Sequence, residues 1–208
     1  MPRDGSLTRA SIVKAATRLF YIEGIRAVSL DAVAERAGVT KKTLYYHFAS
    51  KDELVAASLE SQDQPVLALY RRWYEDADGN ASSRVKAMFE GFRQAAERSQ
   101  WRGCGFLRTI AELANLPGHP AVRIGQQHKK RFERWLGERL AAEHVQSPDA
   151  VARSIMLLME GAATIMLIHR DGAYVTSAGN LASEIVKQAL SAHHMAKPRS
   201  HSRRAQKP

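Results

Sequence analysis

Residues 41–48 bring two lysines, a threonine, two tyrosines and a histidine into one short segment that contains no acid. Lys41 and Lys42 would lie in the first turn of a helix capped by Thr40. Lysines oppose the helix dipole at that end, so an acid would stabilise the helix better. The free backbone N–H groups of a helix N-terminus attract phosphate, however, and nearby cations suit the same ligand. The segment therefore favours contact with a polyanion through the start of this helix.

The opposite face of this helix suits attachment to a core, because Leu44 and Phe48 lie four residues apart. Cations and hydroxyls at its other positions could bind phosphates, and side chains near its start could reach base edges, as in a DNA-recognition helix. A short basic surface helix in an ordinary helical protein would have a similar composition. The neighbouring helix starts favour the recognition helix.

Three helix starts and one tight turn surround the basic segment. Ser29 can cap one helix, Thr40 can cap the next, and Ser50 with Glu53 forms the capping box Ser-x-x-Glu of a third. Gly38 can adopt the left-handed conformation that ends a helix and turns the chain sharply. Helix, glycine turn and second helix form the helix-turn-helix arrangement.

The run from Val28 to Leu54, VSLDAVAERAGVTKKTLYYHFASKDEL, resembles the DNA-binding domain of the tetracycline-repressor (TetR) family of transcriptional regulators. The resemblance begins near Leu7 and continues to about Ala57. Lys42 departs from the family pattern, since many members have glycine there, and it adds charge beside the DNA. Beyond Ala57 the chain matches the family by architecture only.

The resemblance implies an all-α homodimer of about nine helices. An N-terminal three-helix domain with the helix-turn-helix would be followed by a C-terminal helical domain for ligand binding and dimerisation. We place the DNA-binding domain at residues 1–54, with the helix-turn-helix at about 29–48. The ligand-binding and dimerisation domain follows at 55–195, and a basic tail that we expect to be disordered occupies 196–208.

Composition sets broad limits on the chain. Its 208 residues are 45% apolar, enough for a sizeable core, and its formal charge of +10 suits a polyanionic partner without requiring one. Cys104 is the single cysteine, which excludes an intrachain disulfide and suits the cytoplasm. No signal peptide is evident, and the apolar stretch at 155–168 is too short for a membrane span, so we expect no membrane partner.

Apolar periodicity and helix breakers predict the remaining helices. They are expected at 8–23, from 51 to about 75, from a cap at Ser82 or Ser83, at 106–116, at 120–144, from a cap at Ser147 to about 170, and at 175–194, with Gly172 ending the penultimate helix. Members of the family usually dimerise through their last two helices, and we expect the same here.

Pro65 interrupts the helix that begins at Lys51. Proline removes a backbone donor and clashes with the preceding turn, so the helix should be kinked or split there. The break could serve as a hinge that transmits ligand binding, or it could simply redirect the chain.

The residue types assign DNA contacts along this region. We expect bases or nearby backbone to be contacted by Lys41, Lys42, Thr43 and Tyr45, and phosphates to be bound by Ser29, Thr40, Tyr46, His47 and Lys51. Thr8 and Arg9 could add backbone contacts, and Arg3 could do so unless it belongs to a disordered leader.

A ligand pocket in the C-terminal domain has weaker sequence signals. Candidate lining residues are Phe89, Phe92, Cys104, Phe106, Glu112, His128, Phe132, Met156, Glu160 and Thr164. The apolar ones could equally be plain core, and the polar ones could be paired core groups. Cys104 could sense redox state, helped by nearby Arg102 and Arg108, or it could be an inert apolar residue.

No catalytic or metal-binding pattern is present, so we expect neither an enzyme nor a cofactor nor a metal. The resemblance implies a repressor that binds a palindromic operator in double-stranded DNA as a dimer and is released by an unknown small-molecule effector. Two alternatives stay open. One is an activator or a ligand-independent DNA-binding protein of the same fold, and the other is a helical enzyme or adaptor that no longer binds DNA.

Overall fold

The computed structural model describes residues 5–196, and the side chains of residues 5–191, as an assembly of nine α-helices without strands. The helices are α1 Gly5–Glu23, α2 Leu30–Ala37, α3 Lys41–His47, α4 Lys51–Glu75, α5 Ala81–Ala96, α6 Gly105–Glu112, α7 Pro120–Ala142, α8 Pro148–His169 and α9 Ala173–Ala196. The predicted all-α fold is confirmed. Arg3 and residues 197–208 of the predicted tail lie outside the described residues.

One of two apolar clusters holds the N-terminal helices together. It joins α1, α2 and α3 to the first turns of α4, and it also contains Phe106 and Leu113 from the α6 region and Ala121 and Val122 from α7. Buried contacts therefore cross the predicted boundary at residue 54. That boundary stays a prediction, but α6 and the start of α7 share a core with the N-terminal helices.

The second cluster builds the larger C-terminal part. It unites the second half of α4 with α5, α7, α8 and α9 around fully buried side chains such as Met88, Leu136 and Ile155. Helix α9 lies against both α5 and α8. At the first of these crossings Gly179 is required, because a Cβ there would lie 2.7 Å from the Cβ of Phe89.

Helix α4 links the two clusters as one continuous helix of 25 residues with Pro65 inside it. The helix is therefore not split at Pro65, which removes one of the two arrangements predicted from the sequence. The side chain of Pro65 is exposed. Because the nitrogen of proline carries no hydrogen, the carbonyl group four residues earlier in α4 has no helical hydrogen-bond donor. Whether Pro65 acts as a hinge stays a prediction.

The predicted N-caps of helix α5, Ser82 and Ser83, were wrong. Helix α5 is capped by Asn80, whose side-chain oxygen accepts a hydrogen bond from the Ser83 N–H at 3.2 Å. Ser82 and Ser83 therefore lie inside the helix and do not cap it. Asn80 is as good a cap as serine, so composition alone could not choose between them.

The ends of α8 also differ from the prediction. Ser147 occupies the N-cap position but has a left-handed backbone, with φ 50°, and its side chain makes no capping hydrogen bond. The left-handed residue at the C-terminal end is Arg170, with φ 55°, and not Gly172. A Cβ at Gly172 would come within 2.5 Å of the Glu97 carboxylate, so a larger residue there would displace that side chain.

Two other helices differ in length from their predicted spans. Helix α1 begins at Gly5, three residues before the predicted start at Thr8. Helix α6 ends at Glu112, and the predicted continuation to residue 116 forms turns.

Helix α8 is also long and apolar enough to cross a membrane by length and composition, with a mean hydropathy of 1.7. The 22-residue helix exceeds the apolar stretch counted from the sequence. A core helix of a soluble protein has the same properties, and α8 packs on α7 and α9.

Candidate nucleic-acid interface and ligand cavity

The turn between α2 and α3 is built by Gly38, which has φ 66°. Its N–H donates to the carbonyl of Glu35, and the Val39 N–H donates to the carbonyl of Ala34, both at 3.0 Å. This pair of bonds satisfies the last carbonyls of α2 in the Schellman pattern. The predicted glycine turn is confirmed, and it directs the chain into α3.

Helix α3 has seven residues and is held by its ends and by one side. Thr40 caps it by accepting from the Thr43 N–H at 3.1 Å, as predicted. Leu44 and Phe48 are fully buried beneath it, and the guanidinium of Arg9 lies 4.7 Å from the centre of the Phe48 ring. So short a helix is marginal alone, so these attachments determine its orientation.

The nine predicted DNA contacts all lie on the outside of this unit. Six side chains are exposed and three are half-buried, the latter being Thr43, His47 and Lys51. Tyr46 is 84% exposed and Tyr45 is 48% exposed. Large apolar rings with so much exposure are available for a partner surface. The contacts themselves stay predictions.

The two adjacent lysines differ in their surroundings. The Lys41 ammonium lies 2.8 Å from the Asp31 carboxylate, and the hydrogen bond and charge of Asp31 raise the pKa of Lys41. Lys42 has no ion pair or hydrogen bond to any residue within the part of the chain that is described. Asp31 therefore offsets much of the charge of Lys41 and leaves that of Lys42 available to a phosphate.

The capping hydroxyls can serve a second partner. Ser29 accepts from the Ala32 N–H at 3.1 Å, which uses one oxygen lone pair and leaves the hydroxyl hydrogen available. The Thr40 and Thr43 hydroxyl oxygens are 2.8 Å apart, so one hydroxyl donates to the other and only one hydrogen of the two remains for a phosphate. At the next start, Ser50 accepts from the Glu53 N–H as predicted, but Glu53 accepts from Ala49 and not from Ser50.

A cavity of about 640 Å³ lies between α1, α4, α5 and α6. Its aromatic lining consists of Phe20, Tyr21, Tyr70, Trp73, Phe92, Trp101 and Phe106. Burial raises the pKa of Tyr70, and the nearby Cys104 and Glu160 raise it further, so its phenol stays protonated. The volume lies within the range of small-molecule sites.

Hydrogen bonds join the C-terminal end of α1 to α6 beside this cavity. The Glu112 carboxylate accepts from the N–H groups of Ile25 and Arg26, at 2.8 and 3.3 Å, and the Arg26 guanidinium donates to the Glu112 carbonyl at 3.0 Å. Arg108 donates to the Tyr21 carbonyl at 2.7 Å, and the Tyr21 hydroxyl donates to the Gly103 carbonyl at 3.2 Å. We call these six residues the α1–α6 clamp.

The structure places four of the ten predicted ligand residues on this cavity, namely Phe92, Cys104, Phe106 and Glu112. Phe89 and Phe132 lie in the second apolar cluster, and Met156 is half-buried against it. Glu160 pairs with Lys129, and the exposed Thr164 donates back to the Glu160 carbonyl at 2.9 Å. A ligand role for any of the ten stays a prediction.

Cys104 has a cationic neighbour that the sequence did not indicate. The Lys129 ammonium lies 3.4 Å from the Cys104 sulfur, while Arg102 and Arg108 donate to backbone carbonyls. Burial lowers the pKa of Lys129, but Cys104 and Glu160 outweigh burial and keep this pKa above its ordinary value. A redox role for Cys104 stays a prediction.

His128 is buried directly behind the cavity wall. Its ring stacks on Phe106 with 3.6 Å between ring centres, and its Nδ1 lies 2.8 Å from the Asp63 carboxylate. Burial lowers the pKa of His128 despite the hydrogen bond that it shares with Asp63. Burial would raise the pKa of Asp63, but hydrogen bonds from His128 and Arg131 outweigh it and lower that pKa.

Sequence reasoning missed the contribution of α1 to the cavity. Ala10, Val13, Lys14, Thr17, Arg18 and Tyr21 all line it. Their spacing of three and four residues is a second helical stripe, beside the buried stripe of Ile12, Ala16 and Phe20. That spacing was the available signal, but its polar residues are also typical of a solvent-exposed face.

Replacing Lys42 by alanine is expected to weaken DNA binding and to lower the slope of log affinity against log salt by about 1, because one phosphate contact is lost. The probe is a duplex that the wild-type protein selects from random DNA, and the measurement is fluorescence anisotropy at several salt concentrations. Lys41→Ala is the matched control and should change the slope less, because Asp31 already pairs with Lys41. An unchanged slope for Lys42→Ala would contradict the assignment.

Stability is expected to fall as the pH drops below about 6.5, the ordinary pKa of histidine. The unfolded chain takes up a proton at residue 128 at a higher pH than the folded chain, so acid favours unfolding there. Below about pH 4, Asp63 adds to the loss, because its folded pKa is also lowered. His128→Gln should show a smaller fall in melting temperature between about pH 7.5 and 5.5 than wild type. An equal fall in melting temperature for His128→Gln and wild type would contradict the assignment.

Comparisons with known proteins agree with this architecture. The family model described as bacterial regulatory proteins, tetR family, matches residues 12–58. The HTH-type transcriptional regulator YjdC of Escherichia coli is 25% identical over 183 residues, which cover 88% of this chain and 95% of that protein. The HTH-type transcriptional regulator TtgR of Pseudomonas putida is 50% identical over 54 residues, or 26% of each chain. A crystal structure of a TetR-family transcriptional regulator from Streptomyces coelicolor superposes with a TM-score of 0.76 and 29% identity, covering 89% of this chain and 97% of that one. With its helix-turn-helix at residues 30–47 and its all-helical C-terminal part, the chain belongs to the TetR family of DNA-binding transcriptional regulators.

Proposed function

We propose that this protein is a repressor that binds a palindromic operator as a dimer and is released when a small molecule occupies the cavity beside α1. The observation that carries the proposal is that the α1–α6 clamp lines the cavity. Five of the six clamp residues also line the cavity, namely Tyr21, Ile25, Gly103, Arg108 and Glu112. A molecule in the cavity would contact the groups that join the end of α1 to α6.

The dimer would form through α8 and α9. Both helices expose large apolar side chains, including Leu157 and Ile168 on α8 and Leu181 on α9, which are 65%, 63% and 53% exposed. Exposed large apolar side chains on two helices that pack together indicate a protein interface. A two-fold axis along these helices would present two copies of α3 to successive major grooves, about 34–36 Å apart on a palindromic site.

The predicted DNA contacts would then have distinct roles. Lys42, Thr43 and Tyr45 would contact bases or nearby backbone, while phosphates would be bound by Ser29, Thr40, Tyr46, His47 and Lys51. The position of all these side chains on the outside of the helix-turn-helix supports the assignment. Lys41 would contribute less than Lys42 because of Asp31. The protein would act in the cytoplasm, where its DNA is.

Release follows from linkage between the two sites. The cavity would have a different shape when the DNA-binding helices fit the operator. Operator binding and effector binding would then each lower the affinity for the other by the same factor. The clamp supplies a physical connection, since moving the end of α1 moves Tyr21 and Arg26 relative to Glu112.

Leu157→Glu is expected to convert the dimer into monomers, because a carboxylate would be buried in an apolar interface. Light scattering coupled to size-exclusion chromatography gives the mass. Leu116→Glu is the matched control, since Leu116 is 48% exposed but lies outside α8 and α9, and it should leave the dimer intact. A dimer that persists in Leu157→Glu would contradict this interface.

A reporter gene placed behind the selected DNA site is expected to be silenced by the protein and restored by some members of a compound library, by at least about fivefold. Ala95→Phe should still silence the reporter but should not respond to compounds, because residue 95 lines the cavity and lies far along the chain from α3. Lys42→Ala should silence the reporter less than wild type without any compound, because it binds the DNA more weakly. An activator would instead raise expression, and a protein that no longer binds DNA would leave the reporter unchanged.

A further inference from the structure

The cavity wall contains a buried hydroxyl without a partner. Ser58 on α4 is 4% exposed, and its hydroxyl oxygen makes no hydrogen bond within the part of the chain that is described. Neighbouring groups bond elsewhere, since Ser61 donates to the Ser58 carbonyl at 2.7 Å and Thr17 donates to the Val13 carbonyl at 2.8 Å. Buried hydroxyl groups are normally satisfied, so this one points to a polar atom supplied by a ligand.

Seven aromatic side chains line the same cavity as this hydroxyl. They include Tyr70, Trp73 and Phe92, and also Tyr21, Trp101 and Phe106. Two of the chain's three tryptophans are therefore in the lining. Aromatic walls favour flat ring systems, which can stack on them or meet them edge to face. A volume of about 640 Å³ accommodates several fused or linked rings.

The charges along the lining are mostly positive. Lys14, Arg18 and Arg108 contribute three cations, while Glu112 is the one acid among the described residues that line the cavity. The Glu112 carboxylate already accepts two backbone N–H groups, so its charge is stabilised within the clamp. Arg108 is likewise engaged with the Tyr21 carbonyl.

Lys14 and Arg18 are the cations that remain available. They lie four residues apart on the same face of α1, both are exposed, and within residues 5–191 neither has an ion pair or a hydrogen bond. Cations at the rim of an aromatic cavity suit a ligand whose ring system enters the cavity and whose anionic group stays at the edge. Charged hydrogen bonds at such a rim are strong enough to select among ligands.

We propose that the cavity binds an aromatic organic anion, with its rings among Tyr70, Trp73 and Trp101, a polar atom at the Ser58 hydroxyl, and its negative group at Lys14 and Arg18. The proposal rests on the proposed effector site and names the class of effector. Because both cations belong to α1, the anion would form charged contacts with the DNA-binding domain itself. Effector binding would thus act on α1 directly as well as through the clamp.

Two fluorescent probes that differ by one sulfonate test the charge requirement. 1-Anilinonaphthalene-8-sulfonate is an aromatic anion, and N-phenyl-1-naphthylamine is the same ring system without the charge. Each is titrated into the full-length protein without DNA, and binding is followed by probe fluorescence and by quenching of tryptophan. We expect one site per chain for the anionic probe.

The double variant Lys14→Met and Arg18→Met should weaken binding of the sulfonate by about tenfold and leave binding of the neutral probe within about twofold. The double variant Arg123→Met and Arg134→Met removes the same charge from exposed positions of α7 and should alter neither probe. Ala95→Phe should weaken both probes, which shows that they occupy this cavity. Circular dichroism and melting temperature establish that each variant is folded.

Equal losses for the two probes in the α1 variant, or no loss for either, would overturn the anion proposal, as would sulfonate binding that survives Ala95→Phe. If the α1 variant proves unfolded, Lys14→Gln and Arg18→Gln singly provide the same comparison with smaller expected losses. The experiment contains no DNA, so its failure leaves the reporter result standing. Failure of the reporter to respond to any compound would instead refute ligand release while leaving probe binding intact.

Discussion

The hydrogen bonds between the Glu112 carboxylate and the N–H groups of Ile25 and Arg26 tie the end of α1 to α6, beside the apolar cluster that packs both helices against α4. These N–H groups follow the end of α1 and have no helical partner, so a carboxylate is the strongest acceptor available to them. Gly24, with φ 89°, turns the chain so that both N–H groups face the same side. A side chain at that position would strain the backbone, because this φ lies in the left-handed region. This contact fixes where the end of α1 lies against α6, while the apolar cluster shared with α4 holds the helix-turn-helix.

In helix α3 the contacts that stabilise the fold and the side chains predicted to bind DNA lie on different sides. Its exposed side carries lysines, tyrosines and hydroxyls that contribute little to folding, and Lys41 and Lys42 oppose its dipole. The stabilising contacts are on the other side and at the ends, through buried Leu44, buried Phe48 and the Thr40 cap. This division leaves the exposed residues free to change without loss of the fold. The same division explains why Asp31 is useful, because it neutralises one of the two lysines that crowd the start of α3 in the absence of DNA.

Features that depend on neighbours in the chain were predictable from the sequence, and features that depend on distant partners were not. Ser29, Thr40 and Gly38 bond to groups within four residues, so residue type and spacing were sufficient to identify the helix-turn-helix. The predicted N-cap of α5 was wrong because asparagine at position 80 and serine at position 82 are equally good N-caps. The predicted end of α8 was wrong because Arg170 adopts the left-handed conformation, which glycine usually adopts at the end of a helix. The partner of Glu112 lies 87 residues earlier at Ile25, and no local pattern shows that separation. For the same reason four of the ten predicted ligand residues line the cavity, while its entire α1 wall was missed.

That wall changes how a domain boundary should be understood in this chain. A boundary after residue 54 assigns α1 to DNA binding alone, yet Lys14, Thr17, Arg18 and Tyr21 line the cavity and α6 shares the apolar cluster of α1. An effector in the cavity would therefore not need a long series of side-chain shifts to reach the DNA-binding helices, because it would contact the first of them. Any movement of α1 that adapts α3 to an operator would in turn alter the cavity wall. Reciprocal coupling between operator and effector then follows from the shared helix, and its magnitude is limited by how differently the effector binds the two positions of α1.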